Sequence, residues 1–107
     1  MARDVKSVYT GNVNDTDGRQ LVLNIRTTAQ RGYAQTTASV AFRKDEGNGF
    51  VSEQHAVFSD FFTTVNKHPA KRVTQKVLDA SHEDALNILP DIKQRVEQQY
   101  GKQNWNR

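Results

Sequence analysis

The stretch from Ser81 to Tyr100, SHEDALNILPDIKQRVEQQY, constrains the chain most, because it carries the clearest long amphipathic pattern in it. Ala85, Leu89, Ile92, Val96 and Tyr100 recur at steps of three or four, which lines them along one helix face. Ser81 is placed to cap the N-terminus, Glu83 and Asp84 put negative charge where the helix dipole favours it, and Gly101 is placed to end the helix. The residues before Ser81 are therefore expected to form what this helix packs against. Pro90 is the local violation: it lacks an N–H and clashes with the preceding turn, so it kinks the rod or splits it into two short helices at Leu89.

Upstream, the pattern changes to period two. Residues 4–10, DVKSVYT, read as a strand, and 11–18, GNVNDTDG, as a loop rich in residues that tolerate turn geometry. The acidic spacing in that loop does not make a calcium site, since Val13 would hold the first ligand position and Asn24 the place of the bidentate Glu. Leu21, Leu23 and Ile25 alternate with Val22, Asn24 and Arg26, the signature of a half-buried strand. Arg31 and Gly32 predict a turn, after which Ala34, Thr36, Ala38, Val40 and Phe42 alternate with Gln35, Thr37, Ser39, Ala41 and Arg43 in a second hairpin strand. KDEGNG, 44–49, reads as a further turn and 50–58 as a further strand, completing a four-stranded antiparallel meander.

From Phe58 the spacing of Phe58, Phe61, Phe62 and Val65 predicts a helical stripe, with strand as the alternative because of Thr63 and Thr64. Ser59 would cap it and place Asp60 in its first turn. Pro69 ends that element, and 70–80 predicts a helix with Ala70, Val73, Val77 and Ala80 on one face and Lys71, Arg72, Gln75 and Lys76 on another. The expected core is Leu21, Leu23, Ile25, Val40, Phe42, Phe58, Phe61, Val73, Val77, Leu89, Ile92 and Val96.

At 107 residues this is one expected domain, 1–101, with a polar, mobile tail at 102–107 that holds an exposed Trp105. Its mean hydropathy of -0.79 calls for a thin core. The absence of cysteine excludes disulfides, thiolate chemistry and Cys-based metal sites. No run reaches the length of a membrane span and no apolar leader is present, so a cytoplasmic location without membrane contact is expected.

No catalytic set has diagnostic spacing. His55, His68 and His82 are scattered, and none forms an HxxxH or HExxH pair. His82 with Glu83 resembles a His–carboxylate pair, but a Glu in a first helical turn is explained by the dipole alone. The GNG at 47–49 lacks the Lys-Ser/Thr of a phosphate loop. No enzyme, cofactor or metal is therefore expected. The formal charge is +3, and Lys67, Lys71, Arg72 and Lys76 gather within ten residues without an intervening acid. Long cations on one side of a helix can contact phosphates along a backbone, although they also serve to keep a helix soluble.

The expected fold is α+β, an N-terminal antiparallel meander of about four strands packed against C-terminal helices. The leading functional expectation is a small non-catalytic binding protein whose basic segment, Lys67, Lys71, Arg72 and Lys76, meets nucleic acid or an acidic macromolecular surface. The alternative is a protein–protein inhibitor or adaptor acting through an edge strand or an open sheet face bearing Gln35, Thr37 and Ser39. In size, lack of cysteine and sheet-plus-helix pattern the chain resembles, in a general way, the small inhibitor and accessory proteins of phages and plasmids. No motif carries that resemblance.

Overall fold

The structure is a computed structural model and describes residues 3–14, 19–45, 51–54 and 62–105. Strands β1 (Val5–Asn14), β2 (Arg19–Gln30), β3 (Tyr33–Asp45) and β4 (Val51–Gln54) follow one another in an antiparallel sheet, and β5 (Phe62–Pro69) joins it before the helices α1 (Gln75–Asn87) and α2 (Leu89–Tyr100). The fold is thus α+β, with a meander followed by helices that pack on it. One edge of β3 pairs along its length with β2. Its other edge is shared end to end, β4 pairing with Phe42–Asp45 and β5 with Tyr33–Ser39.

The β2–β3 hairpin turns where expected, at Arg31 and Gly32, and Gly32 takes the positive φ of 84° that a side chain would disfavour. Its register sets Leu21 opposite Phe42, Leu23 opposite Val40 and Ile25 opposite Ala38, all facing the helices. Leu23, Ile25 and Leu78 are fully buried, and each removal from water contributes on the order of 2 kcal/mol. From α2, Ile92 and Val96 complete this cluster, with Leu89 and Tyr100 packed against it, and Phe42 meets Tyr100 edge-on at a centroid distance of 5.7 Å.

Several expectations are corrected. β1 continues through Gly11 to Asn14, with a bulge between Thr10 and Val13 where a loop was expected. Lys44 and Asp45 belong to β3 and not to the turn after it. Phe62 and Val65 lie on β5 and not on a helix. The bulge between Thr64 and Asn66 leaves Val65 unpaired and puts it and Asn66 both toward α1, which spoils the alternation that would have marked a strand. The expected helix over 70–80 begins only at Gln75, because Thr74 is its cap, accepting from the Val77 N–H at 3.4 Å. Ser81 is therefore interior to α1. The face turned to the sheet is Leu78, Ser81, His82 and Ala85, at i, i+3, i+4 and i+7, whereas Val73 and Val77 are only half-buried. Of the two outcomes expected at Pro90, the split into two short helices is the one found. The helices break at Ile88, and Pro90 falls in the first turn of α2, where its missing N–H has no helical partner to lose. His55, Phe58, Ser59, Asp60 and Phe61 lie outside the described residues, as does most of the strand expected over 50–58.

Residues 102–105, the described part of the stretch read as a tail, lie against the molecule. The Gln103 N–H donates to the Glu97 carboxylate at 2.9 Å, and Trp105 packs on the core cluster with the Lys93 ammonium 5.5 Å from its ring. No helix among the described residues is long and apolar enough to cross a membrane.

Candidate functional site

Two arrangements of polar side chains stand out, one on each face of the sheet. Under α1 runs a buried seam whose hydrogen bonds have a single direction. The Ser81 carbonyl can only accept, so the Asn66 amide turns Nδ2 to it at 3.1 Å and presents Oδ1 to the Ser81 hydroxyl at 2.7 Å. That hydroxyl has one proton, which goes to Asn66. Thr36 must then donate to Ser81 at 2.8 Å, Thr27 to Thr36 at 2.6 Å, and His82 through Nδ1 to Thr27 at 2.9 Å. Nε2 is left as an acceptor for the Ser7 hydroxyl, 2.8 Å away. The imidazole is held neutral by its surroundings: burial pushes its pKa below the usual 6.5, while Asp79 pulls the other way.

A Ser–His contact is a familiar source of a nucleophile. Here, however, Nδ1 faces a threonine where a triad would have a carboxylate, and both Ser7 and His82 are buried. His82 and Glu83, whose resemblance to a His–carboxylate pair is explained by the helix dipole alone, point apart: His82 faces inward to Ser7 and Thr27, and Glu83 is exposed. His68 makes a separate contact across β5 and α1, to Asp84 at 3.0 Å. Among the described residues no His, Cys, Asp or Glu cluster could hold a metal ion. What the seam does chemically is fix where α1 sits, because sliding the helix by one residue would strand several buried donors at once.

The opposite face carries some of the expected site residues, Gln35, Thr37, Ser39 and Lys67, and not the others. Gln35, Thr37 and Ser39 do lie on it, half-buried. The register sets Gln35 between Thr28 and Lys67, Thr37 between Arg26 and Thr64, and Ser39 between Asn24 and Phe62. Lys67 is thus on a strand, its ammonium 5.4 Å from the centre of the Tyr33 ring. Lys71 and Arg72 are exposed in the connector from β5 to α1, and Lys76 is exposed in the first turn of α1. These residues therefore do not form one helical face, because the helix starts after Thr74. They are nonetheless drawn toward one end of the sheet: the Ala70 N–H donates to the Gly32 carbonyl at 3.0 Å, which lays the connector beside the β2–β3 turn and its exposed Arg31. The cationic set and the sheet-face set, read from sequence as rival sites, adjoin one another at Lys67 and Gln35.

Sequence reasoning missed the other half of this face. Lys6 on β1 stands opposite Arg26, whose guanidinium is 2.6 Å from the Asp4 carboxylate. Lys6, Asn24, Arg26, Thr37, Ser39 and Phe62 line a hollow of about 170 Å³. Phe62 is 62% exposed at its rim. Asn24 is only 7% exposed, and both its Nδ2 and its Oδ1 are shut off from solvent without a hydrogen-bond partner. An orphaned buried amide costs about 1–3 kcal/mol, so it is an unusual thing for a fold to keep. The face is not open throughout, since Val22 and Ala41, paired on it beyond Asn24, are fully buried. Only the alternation of β2 and β3 could have signalled these neighbours, and the pairing of β1 and β5 with them is not local in sequence.

Comparison with protein-family models, with curated proteins and with solved structures gives no match for this chain.

Proposed function

We propose that the protein is a non-catalytic nucleic-acid-binding protein that lays the strand across the outer sheet face and the basic connector. The observation that supports this reading is the make-up of three adjoining cross-strand rows: Lys6–Arg26–Thr37–Thr64, Asn24–Ser39–Phe62 and Thr28–Gln35–Lys67. They contain cations, hydroxyls, amides and one exposed aromatic ring, and the carboxylate beside them, that of Asp4, is paired with Arg26. Such a surface offers charge to phosphates and a flat apolar ring to a base, the combination that single strands favour. Lys71 and Arg72 extend the charge past the end of the sheet.

The test is the affinity of the full chain for a mixed-sequence single-stranded oligonucleotide across a salt series. A contact with three or four phosphates gives a slope of log K against log salt of about −2 to −3. Replacing Lys71 and Arg72 together by Glu flattens that slope and leaves the fold intact. Affinity that does not change between roughly 50 and 200 mM salt would reject the reading.

The second reading is a protein inhibitor or adaptor, and β1 favours it. That strand pairs only with β2, so its other edge has no partner strand among the described residues. A partner captured equally well by wild type and by the Lys71→Glu/Arg72→Glu variant, and lost on placing a proline in β1, would replace the first reading by the second.

A further inference from the structure

We propose that the hollow around Asn24 receives a single nucleotide unit, its base edge meeting the Asn24 amide, its ring lying against Phe62 and its phosphate on Lys6 and Arg26. This rests on the nucleic-acid reading of the face and names what one part of it recognises. The first ground is the orphaned amide. Asn24 is more than nine-tenths buried and lines the hollow, and neither its donor nor its acceptor is used. The sheet satisfies Ser7, Thr27, Thr36, Ser81 and His82 on its other side, and apart from the Trp105 indole N–H the Asn24 amide holds the buried side-chain polar atoms left without a partner among the described residues.

The chemistry of the lining then narrows the ligand. An amide with both ends unsatisfied is matched by a planar edge that sets an acceptor beside a donor, as nucleobases do. A bare anion would satisfy Nδ2 and leave Oδ1 stranded, and a cation would satisfy Oδ1 and leave Nδ2 stranded while meeting the Lys6 ammonium at the rim. The volume of about 170 Å³ lies below the 300 Å³ or so of pockets that enclose drug-sized ligands, so one ring fits and an extended molecule does not. Phe62, exposed at the rim, supplies a stacking surface for that ring, and Ser39 and Thr37 stand beside it with hydroxyls. The amide atoms lie below the surface, so entry requires rim side chains to turn. Lys6 and Phe62, both exposed, are the ones able to do so.

The experiment is a nuclear magnetic resonance titration of the isotope-labelled full chain with each of the four nucleoside 5′-monophosphates and, separately, with inorganic phosphate. The side-chain NH₂ of Asn24 shifts with at least one nucleotide and stays in place with phosphate. Asn24→Val removes the orphaned amide without disturbing the strand, so the variant stays folded. It binds the preferred nucleotide roughly tenfold more weakly while the oligonucleotide keeps its salt slope. Phe62→Ala weakens all four nucleotides alike. Shifts confined to Lys6 and Arg26 that phosphate reproduces, equal nucleotide affinity of Asn24→Val and wild type, or no response to any nucleotide would each overturn the proposal and leave the phosphate-driven reading standing. If the oligonucleotide proves insensitive to salt but a nucleotide still shifts Asn24, the wider reading fails and the hollow remains a nucleotide site.

Discussion

Beneath α1 the sheet buries Ser7, Thr27, Thr36 and His82, and each has a hydrogen-bond partner, whereas on the outer face Asn24, three residues before Thr27 on the same strand, is buried as deeply and has none. The two sets come from the same strands and are built of the same kinds of polar group. What differs is what lies over them. Where α1 covers the sheet, the donors and acceptors of the seam are answered within the chain, because no water reaches them, although the Trp105 indole N–H, packed on the core cluster, has no partner. Where no helix covers it, a gap in the pairing can persist if something from outside fills it. A satisfied polar seam therefore argues for architecture, and an unsatisfied polar group beside a hollow argues for recognition.

Substitutions on the two faces should accordingly change stability in opposite directions. The largest effect is expected for His82→Ala, which opens a cavity and strands both Ser7 and Thr27, lowering the free energy of unfolding by about 4 kcal/mol in chemical denaturation. A loss below about 1 kcal/mol would show that the seam does not hold α1. Thr36→Val keeps the shape but leaves Thr27 and Ser81 each short of a partner, for a loss of about 2 kcal/mol by the same measurement. Asn24→Val, by contrast, should raise stability by about 1 kcal/mol, since it removes an amide that folding desolvates for no return. A destabilised Asn24→Val protein would break the comparison outright.

The smallest effect is a dependence on acid. The folded state holds His82 below its ordinary pKa of 6.5, so the unfolded chain takes up the proton first as the pH falls. This contribution is fully present above that value and is lost progressively below it. The stability difference between wild type and His82→Gln, followed by thermal unfolding from neutral to mildly acid pH, should shrink as pH falls. A difference that does not change with pH would mean that the imidazole is not kept neutral.

The same contrast explains what could be seen in the chain beforehand. The β2–β3 hairpin was legible because Leu21, Leu23, Ile25, Val40 and Phe42 alternate cleanly around Gly32, and α2 because Ile92 and Val96 fall on one stripe. α1 was misplaced because half of its inward face is Ser81 and His82. Polar residues there look like a cap and a surface position until the sheet supplies Thr27, Thr36 and Ser7 as partners. β5 was legible only as the alternative to a helix because its bulge breaks the period. On the outer face, Lys67, Gln35, Thr37 and Ser39 were within reach of sequence reasoning, as members of a basic run and an alternating strand. Lys6, Arg26, Phe62 and the orphaned Asn24 were not, because only the long-range register of β1 and β5 brings them to the same hollow.

The bulge at Val65 carries one more implication. Phe62 and Thr64 face outward in even numbers and Lys67 in an odd one, so the strand changes phase at the point where it stops serving the hollow and starts serving the basic end. The doubled position gives β5 one residue of slack. Shortening the chain there by Val65 would leave Asn66 under the helix and Lys67 outside, so this strand can lose a residue at that point without turning the amide out to water.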